Sequence, residues 1–392
     1  MDFKERLLTT MEHEEPDRVP VMSLSNEPAV LNQFYKKQNI NYFNYMKKPI
    51  LKQIVKAFMN WDWYWNKEFF NIYKRIVKMS VELNFDAIWL IYLLFKLKKA
   101  DKKEFPLGYA WYDVYGRIWD LQIDQYGNPS PFYIRGNCTT EEKWDAWFEN
   151  QTAQLNKMVG YVAKFFKKIV ADCGKEIYVI CFNAPGIFEN SWQPIGFVEF
   201  TKYMYEKPQF IEKVVEFQTD YYLKLLEGVC KAGTEIIMVG DDLGHKKGLL
   251  INPKFIERYF APAYKQIAEF THKQNKKFIF HSCGQTYQLL DKFIEWGFDG
   301  IHATEPTAGM DLEKVRKQVG HNLVLVGNLD VAQLLVRGTK REIEDAVKHA
   351  LKVAAPGGGF ILSPAHNHEK VDPMRLQWMV EAAHEFGKYP IQ

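Results

Sequence analysis

From about residue 150 onward the chain alternates short, unbroken apolar runs with longer segments of helical period, and this alternation limits the fold more than any other feature. The runs are Tyr178–Phe182, Glu235–Gly240, Lys277–His281, Gly300–His302, Leu323–Gly327 and Gly359–Ser363. They are continuous rather than alternately apolar and polar, as strands buried on both faces read. Helical stretches lie between them, at about 151–172, 208–232, 253–275, 285–296, 311–319, 339–354 and 372–386. Several have proper ends: Thr339 with Glu342 is a capping box, Asp372-Pro373 is an N-cap followed by proline, and Gly233, Gly320 and Gly387 are stop signals. Six βα repeats, with Phe85–Leu90 and Arg18–Met22 added, predict eight parallel strands. The economical architecture is an α/β (β/α)8 TIM barrel, with the whole of 1–392 as a single domain.

Two regions depart from that rhythm. Residues 1–82 read as an N-terminal helical region, whose part 28–82 is expected to cap the barrel. Residues 101–150 read as an insertion built on a β-hairpin, with Tyr112–Trp119 and Leu121–Asn128 as its strands and glycines at its turns.

Composition removes several function classes. Lys+Arg number 51 against 48 Asp+Glu, a net charge of +3 with the signs interspersed, so nothing points to nucleic acid. The longest apolar run, Ala87–Phe95, is far short of the ~20 residues that span a bilayer. Met1–Pro16 mixes acids and bases and does not read as a signal peptide, so the expected location is cytoplasmic. Five scattered cysteines (Cys138, Cys173, Cys181, Cys230 and Cys283) form no CxxC and no disulfide framework, which suits a reducing compartment. Aromatic residues make up 15% of the chain, with a dense run at Trp61–Trp65, enough to fill a core and still line a flat apolar pocket.

A barrel carries its chemistry on the loops leaving the C-terminal ends of its strands. Here those loops hold Asn183 and Glu189, Asp241 and Asp242, His281 and Cys283, His302 and Glu305, Asn328 and Asp330, and His366 with His368. His281 and Cys283 are i and i+2 at a strand end, so imidazole and thiol can face one point as two zinc ligands. A third ligand must come from another strand end. His366 is the expected one by chain logic, with Asp242, Glu305 and His368 as competitors. Asp241-Asp242 can hold a metal, orient a histidine or receive a proton; as a bland alternative, it caps a loop. Gly357–Gly359 precedes a strand on the stability face and reads as a helix stop rather than a phosphate loop. No GxGxxG, Walker or GxSxG pattern occurs.

These residues resemble the uroporphyrinogen decarboxylase superfamily, and within it the corrinoid-dependent methyltransferase branch. The carriers are Lys4–Arg6 with His13–Pro20 at the start, then Gly240–Gly244, Phe280–Gly284 and Ala355–Gly359, most strongly in the C-terminal half. The resemblance implies a (β/α)8 barrel. Met22–Glu27 holds no arginine where the true decarboxylase carries them for its tetra-acid substrate, so the resemblance favours the methyltransferases. Those that hold zinc use a His-x-Cys pair, here His281 and Cys283, and a distant cysteine, for which this chain has Ala365-His366.

What the resemblance implies is O-demethylation: a methyl group passes from a methoxylated aromatic methyl donor to Co(I) of a corrinoid carried by a small partner protein. Zinc on His281, Cys283 and His366 would activate the leaving oxygen. Asp242 and Glu305 would orient ligands or shuttle a proton, and His281 with these acids would act directly were zinc absent. The alternatives are a zinc-dependent methylcorrinoid:thiol methyltransferase and a metal-free binding subunit of the same fold. The roles of His302 and His368 stay open, as does the choice between monomer and homodimer.

Overall fold

A computed structural model of the chain describes residues 1–24, 28–35, 62–91, 98–99, 110–123, 129–183, 185–368 and 370–391. Eight strands form the central sheet: β1 (Met22–Ser23), β2 (Ala87–Ile91), β3 (Tyr178–Asn183), β4 (Ile236–Gly240), β5 (Lys277–His281), β6 (Gly300–Ala303), β7 (Val324–Leu329) and β8 (Phe360–Pro364). They lie side by side in chain order, every pair parallel. The sheet closes where Val21 bridges Leu362 and the Leu362 amide donates to the Pro20 carbonyl at 3.0 Å. The (β/α)8 barrel read from the alternation is therefore the fold.

The continuous apolar runs have a simple cause. Alternate residues of a strand point into the barrel or out against the helices, and both sides are dry. In β4, Ile236 and Met238 join the interior cluster with Trp89, Tyr178, Ile279, Val324, Val326 and Ile361, while Ile237 and Val239 pack outward. Leu7 and Met11 belong to the same interior cluster. They come from helix Phe3–Met11, which starts at an Asp2/Glu5 capping box and closes the N-terminal end of the barrel.

Three expectations change. Phe3–Met11 forms a plug, and much of the stretch 28–82 expected to cap the barrel, residues 36–61, lies outside the described residues. Helix Asp62–Glu82 runs between β1 and β2 in the outer ring, with Phe70 and Tyr73 edge-on to Phe165 at 6.3 and 5.1 Å. The insertion is a four-stranded antiparallel sheet (Lys98–Lys99, Ala110–Tyr112, Arg117–Ile123, Pro129–Gly136), and the turn between its second and third strands falls inside the stretch expected as one strand. There Asp113 accepts the amides of Tyr115 and Arg117 at 2.9 and 3.0 Å, and Gly116 adopts φ +79°. The insertion ends before residue 150, because Thr140 caps a helix running from Glu141 to Cys173. The expected helix 253–275 contains a π-helical turn, Ile256–Phe260, just ahead of Pro262, which lacks the amide a regular turn would use. The aromatic run Trp61–Trp65 begins outside the described residues, where residues 25–27 and residues 124–128 of the expected hairpin also lie. Among the described residues no helix is long and apolar enough to cross a membrane.

Candidate metal centre at the barrel mouth

Strand register assembles the centre. His281 pairs with Gly240 on one side and His302 on the other, so the ends of β4, β5 and β6 are level. The chain stays in step just beyond, with the Asp241 amide donating to the His281 carbonyl and the Ser282 amide to the His302 carbonyl, both at 2.9 Å. The Ser282 hydroxyl accepts the Leu243 amide at 2.9 Å, and Asp242 Oδ1 accepts the Cys283 amide at 2.8 Å. As a result one ligand atom each from Asp242, His281 and Cys283 lies within 4.8 Å of the others. His281 Nε2 stands 3.6 Å from Cys283 Sγ and 3.7 Å from Asp242 Oδ1.

The proton positions on the two histidines follow from their partners. The Ser363 hydroxyl donates to the Pro364 carbonyl, so it has no proton left for His302. His302 Nε2 lies 3.2 Å from both that hydroxyl oxygen and that carbonyl, and must carry its own proton to satisfy them. Burial holds His302 neutral, far below the ordinary imidazole value. Its Nδ1 is then bare and accepts from His281 Nδ1 at 2.6 Å. Burial, with His366 nearby, likewise pushes His281 down to about 3. His281 is left neutral, with the lone pair of Nε2 facing Cys283 and Asp242. That is the tautomer a metal ligand needs.

Around this group the charge is one-sided. Burial raises the Cys283 thiol far above its usual value, and the Asp242, Glu305 and Glu189 charges raise it further. Burial, with Asp242 and Asp241 beside it, also lifts Glu189 well above the carboxylate range. Among the described residues no lysine or arginine is hydrogen-bonded to Asp242, Glu189 or Glu305. A nitrogen, a sulfur and a carboxylate oxygen beside further acids fit a divalent cation, and the N/S/O donor set fits zinc.

The neighbouring acids have distinct jobs. Asp241 accepts the amides of Phe188 and Glu189 at 2.7 and 2.9 Å and the Tyr264 hydroxyl at 2.7 Å. It thus pins the start of helix Ile187–Trp192, and burial still pushes its carboxyl up to about 7. Gly186 is required there, since a Cβ would sit 2.5 Å from that of Asp241. Glu305 accepts the Gly284 amide at 2.9 Å and the Thr307 hydroxyl, holding it beside the β5 loop.

His366 does not join the three. Its Nδ1 bonds the Asn367 carbonyl at 3.0 Å, and Asp242, the nearer strand end, offers the third ligand atom instead. His368 accepts the Lys370 amide in a turn, Asn328 donates to the Thr304 carbonyl, and Asp330 caps a π-helical turn. Asn183 ends β3. Sequence reasoning missed Tyr264, Ser282 and Ser363, which act through neighbours that only the fold supplies.

The profile of the uroporphyrinogen decarboxylase (URO-D) family matches residues 125–386, more than half of the chain. A methylcobamide:CoM methyltransferase of Methanosarcina acetivorans is 24% identical over 233 residues, 58% of this chain and 64% of that protein. The uroporphyrinogen decarboxylase of Actinobacillus pleuropneumoniae is 26% identical over 198 residues, 49% of this chain and 53% of that one. The chain thus matches less than two thirds of the length of these curated relatives. A solved methyltransferase from Methanosarcina mazei superposes with a TM-score of 0.66 at 17% identity, covering 98% of this chain and 99% of that one. The matched residues hold six of the eight barrel strands and all of Asp242, His281 and Cys283, and the chain belongs to the uroporphyrinogen decarboxylase family.

Proposed function

We propose that this protein is a corrinoid-dependent methyltransferase whose barrel mouth brings a small methyl-bearing substrate and the corrinoid of a partner protein to one metal centre. The observation that carries the reading is the convergence of His281 Nε2, Cys283 Sγ and the Asp242 carboxylate within 4.8 Å at that mouth. Similarity to a named methylcobamide:CoM methyltransferase supports it, as does the absence of arginine from Met22–Glu27, where a polycarboxylate substrate would need cations.

In the finer reading the methyl donor is a methoxylated aromatic compound. The bond between methyl carbon and ether oxygen breaks, Co(I) of the corrinoid supplies the electron pair of the new cobalt–carbon bond, and the aryl oxygen keeps the old pair and takes up a proton. When bound, zinc would supply Lewis acidity for that oxygen. His281, Cys283 and Asp242 would hold the zinc, and His302 fixes the ligating tautomer. Glu305, anchored by Gly284 and Thr307, would shuttle the proton. The ring contacts from Trp119 through Tyr133 to Trp192 provide aromatic surface near the site's helix. All five cysteines are free, which suits the reducing conditions Co(I) needs and a cytoplasmic location. A second reading, transfer from methylcorrinoid to a thiol, draws on the relative named for CoM.

The test is an assay of purified protein with a reconstituted corrinoid protein, offering a methoxyarene in one arm and a methylated corrinoid with a thiol in the other. Methyl transfer in the first arm alone supports demethylation, and in the second alone it supports thiol methylation. No transfer in either, with intact binding of the corrinoid protein, would leave a metal-free binding subunit and overturn the proposal.

A further inference from the structure

A line of hydrogen-bonded side chains leads from the buried part of the inserted sheet to the mouth. Arg117, on strand Arg117–Ile123, bonds Asp113 from Nε to Oδ2 at 2.5 Å, with both side chains no more than 2% exposed. Arg117 Nη1 donates to Gln193 Oε1 at 2.9 Å, and Gln193 Nε2 donates to Glu189 Oε1 at 3.0 Å. The other Glu189 oxygen accepts the Asp242 amide at 3.5 Å. Asp242 in turn holds the Cys283 amide.

A side-chain amide suits the middle of this line, because it accepts from a guanidinium on one side and donates to a carboxylate on the other. Both partners fix which way the amide faces. An apolar residue at 193 would remove one hydrogen bond from the guanidinium and one from the carboxylate. Residue 193 is itself seated by the sheet: Tyr133 donates its hydroxyl to the Gln193 carbonyl at 2.8 Å and stacks edge-on against Trp192 at 5.4 Å.

We propose that Gln193 is a positioning residue for the metal centre, with Arg117 behind it, so that the inserted sheet sets where the Glu189 carboxylate lies beside Asp242 and Cys283. The inference rests on the metal-centre reading above. It makes the insertion part of the site's architecture: a shift of the sheet moves Arg117, then the amide, then a carboxylate at the edge of the ligand group.

The test replaces zinc by cobalt(II), whose visible absorption reports ligand geometry, and measures affinity by competition with a chelator. The proteins are wild type, Gln193→Met, Glu189→Gln, the double variant and Tyr133→Phe. Gln193→Met is expected to shift the cobalt spectrum and weaken affinity by about tenfold, the effect of losing an outer partner of a metal site. Glu189→Gln should give the same change, and the double variant no more than either alone, because both act on one line. Tyr133→Phe removes a bond that seats the backbone of residue 193, so it should shift the spectrum in the same direction as Gln193→Met but by less. Should Gln193→Met fail to fold, Gln193→Glu keeps the acceptor for Arg117, loses the donor to Glu189, and carries the same expectation of a shifted spectrum. A wild-type spectrum and affinity in the position-193 variant, or fully additive effects in the double variant, would overturn the proposal. Absence of cobalt from the wild type is a different result: it removes the metal centre itself, and this inference with it.

Discussion

His281 donates from Nδ1 to His302 Nδ1 across 2.6 Å, and this one bond turns the lone pair of the opposite ring nitrogen toward Cys283 and Asp242. His302→Phe keeps a flat ring of similar size and removes the acceptor. Metal affinity is expected to fall by about 10–100-fold, as read by chelator competition. His281→Ala and Cys283→Ser should abolish stoichiometric zinc in elemental analysis, and Asp242→Asn should lower it. His366→Ala should keep the metal, since that imidazole faces the Asn367 carbonyl. Loss of zinc from His366→Ala equal to that from His281→Ala would restore His366 as the third ligand.

A pH effect is expected far from the mouth. Burial, then the nearby Arg18, holds His384 down at about 4, with Arg6 acting the same way and Asp86 opposing. As pH falls past the ordinary value near 6.5, the unfolded chain takes up this proton and the folded chain does not. Stability is therefore complete above that value, declines between about 6.5 and about 4, and loses no more from this group below. His384→Leu should remove this part of the decline, leaving the variant about 2–4 °C better off near pH 4 than its neutral-pH difference from wild type predicts. Parallel melting-temperature curves for the two proteins across that window would contradict it.

Asp241 is expected to matter for stability more than for chemistry. Its two oxygens serve three donors, and an amide in its place turns an N–H toward at least one of them. Asp241→Asn should cost about 2–4 kcal/mol in urea denaturation, against about 1 kcal/mol for Tyr264→Phe, which removes one donor. Equal costs would mean that the pinned amides of Phe188 and Glu189 contribute little.

The plug offers a simple packing test. Leu7 is fully buried in the barrel's interior cluster. Leu7→Ala should destabilise by about 2–5 kcal/mol, while metal content, set at the opposite end, stays at the wild-type level. Denaturation and elemental analysis on one preparation check both halves.

How much of this was legible depends on whether a signal was local. The barrel was, because strands buried on both faces leave unbroken runs such as Ile236–Gly240 and Phe360–Pro364 that no half-exposed strand would show. His281 and Cys283 were also legible, since their spacing alone puts them on one side of a strand end. The third ligand was not. Chain order favoured His366, with Asp242 among its competitors, and only the pairing of His281 with Gly240 brings Asp242 alongside. Gln193 lies 76 residues from Arg117 in the chain and reads as an ordinary loop residue until the sheet is folded over it. The turn at Asp113–Gly116 carried its Asp and Gly signals in plain view, but flanking β-branched and aromatic residues made the stretch resemble one strand. Helix Phe3–Met11 had its capping box too; what no sequence pattern revealed was that its apolar face would find the barrel floor.

That floor has a kinetic consequence. Leu7 and Met11 fill the N-terminal end of the barrel among the described residues, and the ligand group lies at its front opening. A large protein delivering its cofactor to that opening would stand in the path of any small molecule still outside. Traffic through a single door has to take turns. The small reactant should enter first and its product leave last, so that the two substrates bind in a compulsory order.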